Sequence, residues 1–157
     1  MIIFDESITF SEVPSEISYT LFLPCNRVPR CKNCSWLGKE KETYNLTIHQ
    51  FKRNLDDLKG KVTCVTFLGE GTEENPLRYG GKLSKFAKMA RSRGFKTCLY
   101  TGRELEDVFF SFRAKLDFLK VGAYKEECGD LYSKTTNQHF YELYNGKIIK
   151  EIFFYAR

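Results

Sequence analysis

Residues Val62, Thr63, Cys64, Val65, Thr66, Phe67 and Leu68 form an almost unbroken apolar and β-branched run set between two stretches of helical spacing. This placement constrains the chain more than any other feature. A strand apolar toward both sides has to be covered on both faces, the situation of an inner strand in a parallel sheet. Before the run, Thr47 and Gln50 form a capping box, and Ile48, Phe51, Leu55 and Leu58 recur at helical spacing up to Gly60. After it, Asn75 and Pro76 can cap and start a second helix, which Gly80 and Gly81 delay until Lys82. Its apolar face is Leu83, Phe86, Ala87 and Ala90, and Gly94 closes it.

The same grammar continues on both sides. Residues 17–23 read as a strand that leaves the sheet at Pro24, residues 95–100 as a third strand, and residues 116–121 as a fourth. Leu105, Val108, Phe109 and Phe112 mark a short helix between the last two. Residues 140–144 and 148–155 flank Asn145-Gly146, a dipeptide favoured in type I′ turns, and predict a C-terminal hairpin.

Strands separated by helices imply a parallel sheet with right-handed crossovers. A closed eight-unit barrel needs at least about 200 residues, so 157 residues predict an α/β fold of the incomplete βα-barrel or open, curved-sheet kind, built as one domain over 1–157. Ligands of such sheets sit beyond the carboxyl ends of the strands. The loops at 25–34, 69–71 and Thr101-Gly102 are all expected there.

With 42% hydrophobic residues and Phe and Tyr spread along the whole length, the chain is not a disordered tail. No apolar run approaches the roughly 18 residues of a membrane span. Met1 to Glu6 lacks the basic and apolar pattern of a signal peptide. The expectation is a reducing cytoplasm, where thiols stay thiols unless a metal takes them. The net charge of +5 does not call for nucleic acid as a partner. It is unevenly placed: residues 1–20 carry Asp5, Glu6, Glu12 and Glu16 and no Lys or Arg, whereas residues 82–96 carry six bases and no acid. Those bases read as a solvated helix face, with an acidic partner surface as the alternative.

Six cysteines remain. Cys64 and Cys98 sit singly inside apolar strands and read as core residues. Cys128, between Glu127 and Gly129, has no assigned role. Cys25, Cys31 and Cys34 fall within ten residues on the loop after the first strand, close enough to grip one inorganic centre. A structural zinc wants four ligands, and the nearest candidate, His49, lies on a predicted helix. A redox pair at Cys31 and Cys34 has the CxxC spacing but leaves Cys25 unused. A [4Fe–4S] cluster normally takes four thiolates; held by three, it keeps one iron open for a substrate or cofactor.

That triplet resembles the radical S-adenosylmethionine (SAM) enzymes. Thr63 to Glu70 is similar to the strand and glycine-rich turn that holds the SAM amino group in this superfamily. Cys98-Leu-Tyr-Thr-Gly102, the segment 116–124 and Thr135-Thr-Asn-Gln138 resemble parts of the activating enzymes of anaerobic (class III) ribonucleotide reductases. Three positions differ from the family pattern. Five residues rather than three separate Cys25 from Cys31, the Gly-Gly-acid turn reads Gly69-Glu70-Gly71, and His139 stands where Arg is common.

The resemblance implies an incomplete βα barrel of the radical SAM type with a C-terminal hairpin. Cys25, Cys31 and Cys34 would ligate three irons, and SAM would chelate the fourth. Asn33, Cys34 and Ser35 would lie against SAM, with Gly69, Glu70 and Thr101 completing its site. The reduced cluster would cleave SAM to a 5′-deoxyadenosyl radical, which takes a hydrogen from a glycine of the reductase. The implied partners are the large subunit of the reductase and an electron donor such as a flavodoxin or ferredoxin. No side chain need act as general acid or base, because the chemistry is carried by cluster and SAM. Two other readings stay open from the residues: a structural zinc module docking nucleic acid or protein, and a CxxC thiol oxidoreductase.

Overall fold

The computed structural model describes residues 1–25 and 42–156. In chain order the elements are β1 (Ile2–Ile3), β2 (Asp5–Thr9), β3 (Ser18–Phe22), β4 (Tyr44–Asn45), α1 (Ile48–Leu58), β5 (Cys64–Leu68), α2 (Lys82–Ser92), β6 (Lys96–Tyr100), α3 (Phe110–Arg113), β7 (Phe118–Val121), β8 (His139–Tyr144) and β9 (Lys147–Glu151). Three single 3₁₀ turns, Leu105–Asp107, Glu126–Cys128 and Phe154–Ala156, complete them.

β2, β3, β5, β6, β7, β8 and β9 lie in that order in one seven-stranded sheet, and β1 pairs with β4 in a separate two-stranded ribbon. The inner pairs β3–β5, β5–β6 and β6–β7 are parallel, while β2 is antiparallel on one edge and β8 and β9 are antiparallel on the other. The sheet is therefore open and mixed. The incomplete βα barrel of the radical SAM type does not form: α1 and α2 are eleven residues each, α3 only four, and both ends of the sheet turn back on themselves.

Two physical reasons account for this correction. β2 reads Asp-Glu-Ser-Ile-Thr, with its side chains exposed or half-exposed, so it lacks the apolar signal by which a strand is recognised in sequence. The second reason concerns the sheet face turned away from the helices. Val13 and Phe154 pack there with Cys64, Cys98, Phe118 and Phe140, so this face is covered by packed side chains.

The other face is the main core. Leu21, Phe67, Leu99 and Leu119 occupy one register row across the parallel strands and meet Phe51 and Leu55 of α1, Leu83, Phe86, Ala87 and Ala90 of α2, and Phe112 of α3. Full burial of a Leu or Phe is worth about 1.5–3 kcal/mol, so this layer, with most of the large side chains that are completely buried, supplies the greater part of the stabilisation. The adjacent row, Thr20, Thr66, Cys98 and Phe118, points to the second face. Its buried hydroxyls are satisfied locally: Thr66 Oγ1 donates to Ser18 Oγ at 3.0 Å, and Thr9 and Thr20 share a bond of 2.6 Å.

Local signals act where expected. The Thr47 hydroxyl accepts from Gln50 N and Gln50 Oε1 accepts from Thr47 N, both at 3.1 Å, closing the capping box of α1. Asn145 and Gly146 both have positive φ at the tip of the β8–β9 hairpin, as a type I′ turn demands. No helix among the described residues is long and apolar enough to cross a membrane.

Candidate functional site

The parallel strands β3, β5, β6 and β7 all deliver their carboxyl ends to one edge, and hydrogen bonds stitch the chain together beyond them. Leu23 N donates to Leu68 O at 2.9 Å, Gly69 N to Tyr100 O at 3.1 Å, Thr101 N to Lys120 O at 2.9 Å, and Gly122 N to Arg103 O at 2.7 Å. Gly71 N then donates to Pro24 O at 2.9 Å, and Cys25 forms a parallel bridge with Gly71. Cys25, the 69–71 turn and Thr101 are thus brought together.

Gly69 is required by this closeness. Its φ is +101°, and a Cβ there would lie 2.8 Å from Leu23 O. Only glycine combines that conformation with so near an approach of the neighbouring backbone. Gly122 is under the same constraint, with φ +90° and a Cβ position 2.8 Å from Asn137 O.

Glu70 is the central charged group, buried at 5% exposure. Arg103 grips it as a fork, Nε donating to Oε1 at 2.8 Å and Nη2 to Oε2 at 3.0 Å. The Thr101 hydroxyl donates to Oε1 as well and itself accepts from Arg103 N at 3.0 Å. An ionised carboxylate has about four acceptor positions. Among the described residues, Thr101 and Arg103 both donate to Oε1 and Arg103 alone to Oε2. The Arg103 guanidinium is raised above its ordinary value, first by the hydrogen bonds it donates to Glu70, against the opposing effect of burial, and then by the charges of Glu70, Asp107 and Cys25.

Lys120 lies in the middle of this edge, at 8% exposure on a strand whose neighbours are apolar. Its ammonium donates to Gly122 O at 2.7 Å and to Thr101 O at 3.4 Å, fastening the loops that follow β6 and β7. Neither Arg103 nor Lys120 stands out as a site residue in the sequence reading. The signal for Lys120 is present, since a lysine inside the run 116–121 contradicts its apolar character; Arg103 carries no comparable mark.

Cys31, Cys34, Asn33 and Ser35 lie outside the described residues. Cys64 and Cys98 are completely buried in the second-face cluster. Burial pushes the Cys64 thiol up to about 12 and the Cys98 thiol well above its ordinary value, so both are inert as nucleophiles or ligands. Cys128 ends a 3₁₀ turn, with its carbonyl accepting from Thr135 Oγ1 at 2.9 Å. His49 is exposed on α1. His139 is exposed too, bonded through Nδ1 to Glu151 Oε1 at 2.6 Å.

The donor chemistry at the edge divides in two. Cys25 offers soft sulfur, which suits iron–sulfur or zinc centres. Glu70 offers a hard carboxylate whose plane is set by Arg103. Scans of family models, of curated proteins and of solved structures find no match to the chain.

Proposed function

We propose that the chain is a radical SAM activase that generates a glycyl radical on an anaerobic ribonucleotide reductase. Cys25, Cys31 and Cys34 are the ligands assigned to a [4Fe–4S] cluster; Asn33, Cys34, Ser35, Gly69, Glu70 and Thr101 are the residues assigned to SAM. The observation that carries the reading is the backbone bridge between Cys25 and Gly71, which sets the first cysteine of the triplet beside the turn that bears Glu70.

When bound, the cluster and SAM supply one-electron cleavage and hydrogen-atom abstraction, chemistry no protein side chain provides. The chain's own work is narrower. Glu70 would accept a hydrogen bond from the SAM amino group, Gly69 would keep the turn that carries Glu70 seated against Leu23 O, and Arg103 orients the Glu70 carboxylate. The thiolates of Cys25, Cys31 and Cys34 would hold the cluster. The proposed partners are the reductase large subunit and an electron donor such as a flavodoxin or ferredoxin, in a reducing cytoplasm where the thiols survive.

Anaerobic reconstitution with iron and sulfide tests the reading. The expected product is brown, holds about four irons per chain, as a [4Fe–4S] centre requires, and cleaves SAM when reduced. Cys31→Ala is expected to lose the iron, whereas Cys64→Ala keeps it. A colourless protein with one tightly held zinc would identify a structural zinc module instead, and thiol–disulfide activity without metal and without Cys25 would identify an oxidoreductase.

A further inference from the structure

We propose that Arg103 is a positioning residue that acts through Glu70 and thereby sets the affinity of this edge for a ligand whose amino group donates a hydrogen bond. The ligand named below rests on the activase reading, while the contact between Arg103 and Glu70 does not.

A carboxylate at 5% exposure is costly without a partner. One cation nearby would be enough for charge. The structure provides more than charge: a planar fork that contacts both carboxylate oxygens, which fixes the plane of the group. With Thr101 also on Oε1, Oε2 is the carboxylate oxygen with fewer partners among the described residues, and the fork holds it in place.

Arg103 is itself built in. Its N–H donates to Thr101 Oγ1 and its carbonyl accepts from Gly122 N at 2.7 Å, so its backbone is pinned on both sides. The loops that pin it are those fastened by the Lys120 ammonium. A buried ion pair often stabilises a fold no better than apolar residues of the same volume would. Here the pair gives Glu70 an orientation, at the edge to which three parallel crossovers bring their loops.

The test is a double-mutant cycle on the full chain, reconstituted anaerobically with iron and sulfide. Wild type, Arg103→Met, Glu70→Gln and the double variant are titrated calorimetrically with SAM, and the iron content and urea midpoint of each are measured alongside. Arg103→Met is expected to weaken SAM about tenfold, a coupling within the usual range for residues in contact. Glu70→Gln should weaken it at least as much, and the double variant no more than Glu70→Gln alone, all with wild-type iron content. Arg103→Lys should recover part of the loss, since it restores the charge without the fork.

Losses that multiply in the double variant would mean that Arg103 touches the ligand itself, which overturns the positioning role. So would an unchanged affinity in Arg103→Met. If Arg103→Met does not fold, Arg103→Lys carries the same cycle in the wild-type and Glu70→Gln backgrounds. A wild-type chain that takes up iron and binds SAM while the cycle fails sinks this proposal alone; one that takes up neither sinks the activase reading and this proposal with it.

Discussion

Buried ionisable groups of two kinds sit in different surroundings in this protein. Glu70 is held by hydrogen bonds from Arg103 and Thr101. Cys64 and Cys98 lie among apolar side chains, and burial raises both thiols, Cys64 up to about 12. A thiol in the unfolded chain ionises near pH 8.5. Between that pH and about 12 the unfolded state therefore binds fewer protons than the folded one, and stability falls as pH rises, by up to about 1.4 kcal/mol per pH unit per thiol. Below pH 8 the same groups contribute nothing to the slope. The expected outcome is a urea midpoint that drops between pH 8.5 and 10.5 and drops less in Cys64→Ala; an equal drop in that variant would contradict the burial of the thiol. Iodoacetamide at pH 8 should likewise leave Cys64 and Cys98 unmodified until the chain unfolds, as peptide mass spectrometry would read. These two core cysteines are legible in the sequence because each stands inside an apolar strand. Arg103 is not, because its meaning comes from Glu70, thirty-three residues away in sequence. Distance along the chain hides a partner that only folding supplies.

Most of the elements themselves were written in local chemistry. The capping box at Thr47 and Gln50, the spacing of Leu83, Phe86, Ala87 and Ala90, and the Asn145-Gly146 turn each specify their element from within a few residues. β2 escapes this logic. As an edge strand it buries little, and nothing in Asp-Glu-Ser-Ile-Thr distinguishes it from a loop until β3 pairs with it. With β2 unseen, the alternation of strand and helix points to a barrel, and the antiparallel edge that rules one out has no sequence signature. The 69–71 turn is the element on which the site most depends. Gly69→Ala puts a methyl group 2.8 Å from Leu23 O at a φ of +101°. Such strain costs on the order of 1–3 kcal/mol. Urea unfolding should register that loss, and a variant as stable as wild type would show that the turn is not seated against β3 as described.

At the scale of the molecule, the second face of the sheet is covered by chain that comes from its two ends in sequence. Val13 arrives from before β3, and Phe154, at 3% exposure, from after β9, where it packs against Phe140 and Tyr132. Phe154→Ala removes a fully enclosed ring with little prospect of the site collapsing around the gap, and is expected to cost about 3–5 kcal/mol in equilibrium unfolding. A loss below 1 kcal/mol would mean that this face is not a true second core. The sheet register also governs how fast the molecule can be made. β8 meets β9 across a two-residue turn, but β3 meets β5 only after Ser18 finds Cys64, with the whole of α1 in between. Every parallel neighbour repeats that delay, and topologies rich in such distant pairings fold on the slower side, in about milliseconds to seconds. The β8–β9 hairpin can close at once, yet it has no sheet to join until the parallel strands have assembled, so it is among the first elements able to form and the last able to dock.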